Sequence, residues 1–158
     1  MTGRGNSSGW QLQINGMIKR NGGGNVRVLI ADDNPVVRKV LQQLIEHEDG
    51  FELCASVADG DECLSSIETH RPDVLSLDLE MPRMNGRTVL MKLLERNLHP
   101  GIVVVTGLPI NDQPSVKDEL RSLGAYAIIT KDFSPRGTDL SLFSKDYFTA
   151  LHEAARQT

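Results

Sequence analysis

The residues of this sequence that are best suited to chemistry stand where apolar runs end. They comprise three carboxylates, a hydroxyl and an amine: Asp32, Asp33, Asp78, Thr106 and Lys131. Carboxylates that are brought together repel one another, and a divalent cation relieves that repulsion. A site made of oxygen ligands favours Mg²⁺, with Mn²⁺ as the alternative, over Zn²⁺. If folding gathers these side chains, we expect a metal-dependent site for phosphoryl transfer.

Asp78 is the expected phosphoacceptor, because a carboxylate held beside a metal ion can attack phosphorus. We expect Asp33 and Asp78 to bind Mg²⁺ through their carboxylates. Glu80, two residues after Asp78, is expected to add its backbone carbonyl. Asp32 is expected to act on the metal through a bound water, since Mg²⁺ usually keeps several waters.

Two further side chains are expected to act on the phosphoryl group itself. Phosphoryl transfer depends mainly on positioning and on neutralising the charge of the phosphoryl oxygens. Lys131 would pair with one of these oxygens as a point charge. Thr106 would donate a hydrogen bond to another, together with backbone N–H groups.

The elements that must position these groups alternate between strand and helix. Runs typical of strands fall at 26–30, 51–57, 74–77, 102–105 and 127–130, and helical patterns fall at 35–47, 59–70, 86–96 and 115–123. Such alternation predicts βαβ units and an α/β fold with a doubly wound parallel sheet. In the strand order 2-1-3-4-5, the strand ends that carry the reactive groups are neighbours and meet in one crevice.

We divide the chain into three segments. Residues 1–25 are rich in Gly, Asn and Ser and are expected to form a flexible leader. Residues 26–132 form the expected core, and 133–158 contain a loop and an amphipathic helix over about 142–156. The apolar side chains of this helix favour packing on the sheet; a linker helix that points away is the alternative. They are Phe143, Tyr147, Phe148, Leu151 and Ala155.

The composition excludes several functional classes. The chain has 158 residues, of which 39% are hydrophobic and 24% charged, and its formal net charge is −4, so no basic excess indicates nucleic acid. No apolar run approaches the roughly 20 residues of a membrane helix, so we expect no membrane insertion. We expect a cytoplasmic protein whose cysteines are small buried hydrophobes, Cys54 and Cys63. The histidines lack metal-ligand spacing and are expected at the surface: His47, His70, His99 and His152.

Taken together, Asp32-Asp33, Asp78, Thr106 and Lys131 resemble the signature of the receiver domain of bacterial two-component response regulators. The stretches 74–77 and 78–86 are similar in particular to the receivers of chemotaxis methylesterases of the CheB type, and 134–157 resembles the linker that follows such receivers. The resemblance implies a flavodoxin-like (βα)5 fold. It also implies phosphoryl transfer to Asp78 from the phosphohistidine of a sensor histidine kinase. The implied partners are that kinase and either a downstream protein target or a missing C-terminal effector domain.

Two positions depart from the family pattern. Family members usually have Pro after the lysine, whereas Asp132 follows Lys131 here. Three residues before the lysine the family often has Tyr or Phe, and this chain has Ile128. An aromatic switch is therefore absent at that position, which leaves Thr106 and the loop after it as the expected moving parts.

Two functions are alternatives to a signalling receiver with its own target. The chain could be the regulatory receiver fragment of a chemotaxis protein-glutamate methylesterase. It contains no G-x-S-x-G nucleophile elbow, so esterase activity is not expected within these residues. The distant alternative is a phosphatase resembling the haloacid dehalogenases. That family has a second Asp two residues after the nucleophile, and Glu80 occupies this place.

Overall fold

The computed structural model describes residues 24–131 and 140–158. Five parallel strands form a single sheet in the order β2-β1-β3-β4-β5. The strands are β1 (Val26–Ala31), β2 (Phe51–Val57), β3 (Val74–Leu77), β4 (Gly101–Thr106) and β5 (Ala127–Thr130). The helices are α1 (Pro35–His47), α2 (Gly60–His70), α3 (Gly86–Glu95), α4 (Pro114–Ser122) and α5 (Leu140–Ala155). This topology is flavodoxin-like and confirms the predicted (βα)5 sheet and strand order.

Local capping explains where three of the helices begin. The side chain of Asn34 accepts hydrogen bonds from the first amides of α1, and Pro35 occupies the first turn. Asp59 caps α2 and Asn85 caps α3 in the same way. Asn34 and Asp59 follow β1 and β2 within three residues, so these two short βα loops are set by local sequence, whereas a longer loop separates β3 from Asn85.

Apolar layers cover the sheet on both faces. One layer contains the buried side chains of α2, α3 and α4, and the other contains those of α1 and α5. Every residue of β3 and β4 is buried. Strands that are covered on both faces cannot alternate polar and apolar residues, which is why they were recognisable as continuous apolar runs.

Helix α5 packs on the sheet, as its apolar face predicted. Its buried residues include the five named above. The ring centroid of Phe148 lies 5.2 Å from that of Phe51 on β2. Gly101 of β4 meets the backbone of Ala154, where a side chain would collide with the carbonyl group. The alternative of a helix that points away from the sheet was wrong.

One prediction about an individual side chain was wrong, and two apolar side chains of the helices are exposed. These two are Val36 and Leu94. The buried stripe of α1 runs through Val37, Leu41 and Ile45, one residue round the helix from Val36. His152 was expected at the surface but is buried, because α5 buries a broad face.

The remaining predictions concern cysteines, membranes and segments outside the described residues. Cys63 is buried and Cys54 half-buried, and both are free thiols. Burial raises the pKa of the Cys63 thiol to about 12. Within the described residues, no helix has both the length and the apolar character that crossing a membrane requires. The predictions for 1–23, for Asp132 and for the loop over 133–139 lie outside the described residues.

Candidate functional site

The pairing of the strands brings the reactive residues to one edge of the sheet. Ala31 at the end of β1 pairs with Leu77 at the end of β3, so Asp32 and Asp78 leave the sheet side by side. The amide of Asp78 donates a hydrogen bond to the carbonyl of Ala31 at 2.9 Å. The expected convergence of the first and third strand ends is therefore present in the fold.

The fourth and fifth strands end at the same edge. Thr106 pairs with Thr130 in the register of β4 and β5. The amide of Lys131 then donates a hydrogen bond to the carbonyl of Thr106 at 2.7 Å. This contact fixes the backbone at which the lysine side chain begins, although Asp132 replaces the usual proline after it.

Three carboxylates meet within this crevice. One oxygen from each of Asp32, Asp33 and Asp78 lies within 4.8 Å of the others. Asp78 is only 3% exposed and Asp32 is likewise buried, whereas Asp33 is exposed. A set of carboxylate oxygens at this spacing, partly open to water, fits a hard divalent cation such as Mg²⁺. The donor chemistry is therefore the one that the sequence predicted.

Lys131 is the cation of the cluster. Its Nζ lies 2.7 Å from Oδ2 of Asp32 and 3.3 Å from Oδ1 of Asp78. The lysine is mostly buried, so its charge acts on these carboxylates with little screening by water. One ammonium group faces three carboxylates, which leaves the crevice with an excess of negative charge.

The pKa of Asp78 reflects that excess. Burial, followed by the nearby carboxylate of Asp32, raises the pKa of Asp78 to about 6, against the opposing charge of Lys131 and a hydrogen bond from the amide of Glu80. That amide lies 3.3 Å from Oδ1 of Asp78. A second positive charge in the crevice would favour the ionised form of Asp78 and thereby its nucleophilic state.

Asp32 is held in place through its carboxylate and through its backbone carbonyl. Its Oδ1 accepts a hydrogen bond from the amide of Asn34 at 2.9 Å, and its own carbonyl accepts one from Arg38 at 2.8 Å. Its Oδ2 faces Lys131. Because both carboxylate oxygens already have neighbours, an indirect role for Asp32 through water suits this geometry, and that role stays a prediction.

Thr106 is fully buried at the end of β4. Its hydroxyl oxygen accepts a hydrogen bond from the amide of Leu108 at 3.1 Å. The hydroxyl proton is then available for donation to another acceptor. The expected donation to a phosphoryl oxygen, like the expected metal contact of the Glu80 carbonyl, stays a prediction.

The loop after Asp78 is held close to the strand by Gly86. The amide of Gly86 donates a hydrogen bond to the carbonyl of Leu79 at 3.0 Å. A Cβ at position 86 would collide with the carbonyl oxygen of Asp78 and would lie 2.8 Å from Cα of Leu79. Only glycine permits this approach, so the Gly that ends the loop serves to place Asp78.

An open groove lies beside the cluster. It has a volume of about 430 Å³ and is lined by Asp33, Leu79, Glu80, Met81, Asn85, Arg87 and Leu108. The lining of carboxylates, an amide and a guanidinium is polar enough to admit a charged donor group. Access to Asp33 is therefore possible without opening the fold.

Sequence reasoning missed two polar pairs near the site. Arg83 in the loop after Asp78 forms an ion pair with the buried Asp59. The hydroxyl of Tyr147 donates a hydrogen bond to the hydroxyl of Ser76 at 2.8 Å, both buried. A serine inside an otherwise apolar strand was the available signal for the second pair. No local feature of the sequence indicated the ion pair of Arg83 with Asp59.

This fold, with acidic residues after β1 and β3 and a lysine after β5, defines the class of response-regulator receivers. The chain belongs to that family, because the model of the response regulator receiver domain matches residues 28–139. It is therefore a receiver module of two-component signalling.

The sequence relatives of the chain are protein-glutamate methylesterases/protein-glutamine glutaminases. It is 36% identical over 106 residues to protein-glutamate methylesterase/protein-glutamine glutaminase 2 of Paramagnetospirillum magneticum, covering 67% of this chain and 30% of that protein. It is 30% identical over 134 residues to protein-glutamate methylesterase/protein-glutamine glutaminase of Pyrococcus horikoshii, covering 85% of this chain and 36% of that protein. The chain thus spans about a third of the length of these relatives.

Solved structures share the fold. The response regulator domain of Thermotoga maritima CheB aligns with a TM-score of 0.73 at 23% identity, covering 84% of this chain and 97% of that one. A CheX–CheY–BeF3–Mg²⁺ complex from Borrelia burgdorferi aligns with a TM-score of 0.64 at 28% identity, covering 82% and 92%.

Proposed function

We propose that Asp78 accepts a phosphoryl group from the phosphohistidine of a sensor histidine kinase in an Mg²⁺-dependent reaction. One observation carries the proposal: Asp78 is buried at the end of β3, within 4.8 Å of two further carboxylates and 3.3 Å from the ammonium of Lys131. A lone buried carboxylate in a protein core is costly, and this one is surrounded by the groups that a phosphorylation site requires.

The residues would divide the reaction as follows. A carboxylate oxygen of Asp78 forms the bond to phosphorus while the P–N bond of the donor breaks, and the histidine ring leaves with that electron pair. Lys131, already within reach of Asp78, turns to a phosphoryl oxygen. Thr106 donates its hydroxyl proton to a second one. Both contacts would stabilise the negative charge of the phosphoryl oxygens, in place of the contacts that these oxygens made with water and the donor before transfer.

The cation would be held by this chain's own oxygens. Asp33 and Asp78 supply carboxylates, Glu80 supplies its backbone carbonyl, and Asp32 holds a metal-bound water. When bound, Mg²⁺ would supply positive charge next to the phosphoryl oxygens and to the crowded carboxylates. The CheX–CheY–BeF3–Mg²⁺ complex of Borrelia burgdorferi, at 28% identity, supports a metal in this family.

The phosphorylated state would be reported on the face formed by α4, β5 and α5. Lys131 follows β5 directly, and Thr106 is joined to it through the backbone, so a movement of either reaches this face. Ile128 on β5 is partly buried and packs against the apolar layer of α2, α3 and α4. Reporting would therefore depend on the loop after Thr106 and not on an aromatic residue at 128. The partner would be a downstream protein or an effector domain.

We further propose a role in chemotaxis-type signalling in the cytoplasm. The names of the curated relatives support this context. A regulatory receiver of a protein-glutamate methylesterase is the second candidate, favoured by the same matches. An assay of a purified methylesterase catalytic domain, with and without this chain and a phosphodonor, distinguishes a regulatory receiver of that enzyme from a receiver that acts on another target.

Replacement of Asp78 by Asn tests the phosphorylation site directly. With labelled acetyl phosphate or a phosphorylated kinase and Mg²⁺, we expect wild type to take up one base-labile, hydroxylamine-sensitive phosphate and Asp78→Asn to take up none. The matched control is Asp118→Asn, an exposed carboxylate on α4, which should label as wild type does. Undiminished labelling of Asp78→Asn would refute the assignment, and continued turnover of a soluble phosphomonoester would favour the phosphatase alternative.

A further inference from the structure

The loop 79–85 carries Glu80, whose carbonyl is the expected third protein ligand of the metal, but the loop itself has no regular secondary structure. Its two ends are fixed, since Asp78 closes β3 and Asn85 caps α3. A carbonyl ligand can serve a metal only if the backbone that carries it is held in place. The middle of this loop must therefore be held by something outside it.

Two kinds of contact hold it. Leu79 and Met81, on either side of Glu80, are buried in the apolar layer, and Arg83 forms an ion pair with Asp59. Nη2 of Arg83 donates to Oδ2 of Asp59, which lies at the start of α2, 24 residues earlier in the chain. The side chain of Asp59 is only 3% exposed, while that of Arg83 is 69% exposed. Arg83 thus reaches across the surface to cover a buried carboxylate.

Asp59 divides its oxygens between two tasks. Oδ1 accepts a hydrogen bond from the amide of Glu62 at 2.9 Å and so caps α2, which leaves Oδ2 for Arg83. The Glu62 amide, followed by Arg83, holds the pKa of the Asp59 carboxyl below its usual range. Asp59 therefore stays ionised, and the guanidinium of Arg83 is the neighbouring charge that balances it.

A backbone contact reinforces the ion pair. Gly60 lies directly against Met84, and a Cβ at position 60 would come within 2.5 Å of the carbonyl oxygen of Met84. Arg83 itself has φ 63°, a left-handed conformation that is unfavourable for a residue with a Cβ. Such a conformation persists when its surroundings impose it. Here the surroundings are the start of α2 on one side and the strand end on the other.

We propose that Arg83 is a positioning residue for the metal site: through Asp59 it holds the loop 79–85 so that the Glu80 carbonyl faces the carboxylate cluster. This inference rests on the proposed Mg²⁺ site and adds to it a determinant that does not touch the metal. The loop also delivers the Glu80 amide to Oδ1 of Asp78 at 3.3 Å, so its displacement would alter two groups at the cluster together.

The chain offers a matched control. Arg96, at the C-terminal end of α3, pairs with Glu68 on α2 at 2.7 Å. It joins the C-terminal end of α3 to α2, and both side chains are about half exposed. An ion pair of this kind contributes little, and its removal should leave the metal site unchanged.

Calorimetric titration of the full chain with Mg²⁺ tests the proposal. We expect Arg83→Ala and Arg83→Gly to weaken Mg²⁺ binding roughly 3- to 10-fold, somewhat less than the usual loss of an outer-shell partner. Arg83→Lys should retain part of the affinity, and Arg96→Ala all of it. Asp33→Ala, which removes an expected direct ligand, should lose more Mg²⁺ affinity than the Arg83 variants. Thermal melts without metal show whether each variant is folded.

Each result bears on the proposal in one direction. Wild-type affinity in folded Arg83→Ala would overturn it, while labelling of Asp78 would leave the proposed function intact. Wild-type affinity in Arg83→Gly with a loss in Arg83→Ala would also overturn it, because backbone strain and not the ion pair would then be responsible. Equal weakening in Arg96→Ala would do the same. If wild type itself binds no Mg²⁺, the inference and the proposed metal site fail together.

Discussion

Among the described residues, two regions with buried polar groups are built on opposite principles. At the carboxyl edge of the sheet, three carboxylates lie together and one ammonium group pairs with two of them. Beneath α5, the polar groups are neutral: the hydroxyls of Tyr147 and Ser76 satisfy each other at 2.8 Å among stacked aromatic rings. We call this second region the α5 interface, formed by α5 against β1, β3, β4 and β5.

This difference indicates which of the two regions is suited to bind a ligand. The α5 interface carries no excess charge, because its hydroxyls are paired, burial lowers the pKa of His152, and its backbones meet at Gly101 and Ala154. The carboxylate cluster is incomplete, since its negative charges exceed the charge of Lys131 and the pKa of Asp78 is raised. Changes in the α5 interface should therefore cost folding free energy and spare the site, and changes in the cluster should do the reverse.

The largest effect on folding is expected for Gly101→Ala. The new methyl group would collide with the carbonyl of Ala154 and lie 3.0 Å from the amide nitrogen of Ala155, so α5 must shift from the sheet. Overpacking of this kind costs about 2 to 3 kcal/mol of unfolding free energy. Urea denaturation measures the cost, with Gly24→Ala, which has open space around it, as the control. A loss of Mg²⁺ affinity in the folded variant would break the separation of the two regions.

A smaller loss is expected for Tyr147→Phe. The variant keeps the aromatic packing but leaves the hydroxyl of Ser76 buried without its partner, which costs about 1 to 2 kcal/mol. Burial raises the pKa of Tyr147 far above its usual range, so the phenol is a neutral donor at any ordinary pH. Urea denaturation of the single variants and of Tyr147→Phe with Ser76→Ala gives the coupling between the two hydroxyls. Purely additive losses would show that the hydrogen bond does not contribute to the α5 interface.

Much of the fold could be predicted because its signals are local. The boundaries of β2, β3, β5 and α1 follow from apolar runs and from caps such as Asn34 within a few residues of them. The site could be anticipated for a related reason: parallel strands end at a common edge, so residues that follow different strands converge without any pairwise information.

The features that were missed depend on contacts between distant parts of the chain. Ser76 and Tyr147 are 71 residues apart, and Asp59 and Arg83 are 24 apart, so neither pair leaves a periodic pattern in the sequence. His152 was misplaced for the same reason. Its burial follows from the way α5 meets the sheet, and within the described residues neither ring nitrogen has a hydrogen-bond partner.

The smallest expected effect on folding, and the only one that stabilises, is that of Asp78→Asn without metal. The pKa of Asp78 is about 6 in the folded protein against an ordinary value of 3.8. Between these pH values the folded state holds a proton that the unfolded chain has released. This group therefore makes the unfolding free energy fall as pH rises through that window, and the charged form is unfavourable above it. Asn has no charge to bury, so it should stabilise the metal-free protein by about 1 kcal/mol at pH 7.5.

Urea denaturation in the presence of EDTA, at pH 7.5 and again near pH 4.5, isolates this effect as the difference between the variant and wild type. The advantage of Asp78→Asn should shrink at the lower pH, where wild-type Asp78 is protonated in the folded state. Added Mg²⁺ should reverse it at pH 7.5, because a cation that binds the folded wild type stabilises it and the variant lacks a ligand. Asp118→Asn, on the exposed face of α4, should match wild type throughout. A destabilised Asp78→Asn at pH 7.5 would mean that pairing with Lys131 outweighs repulsion from Asp32, and the cluster would then be as complete without a ligand as the α5 interface.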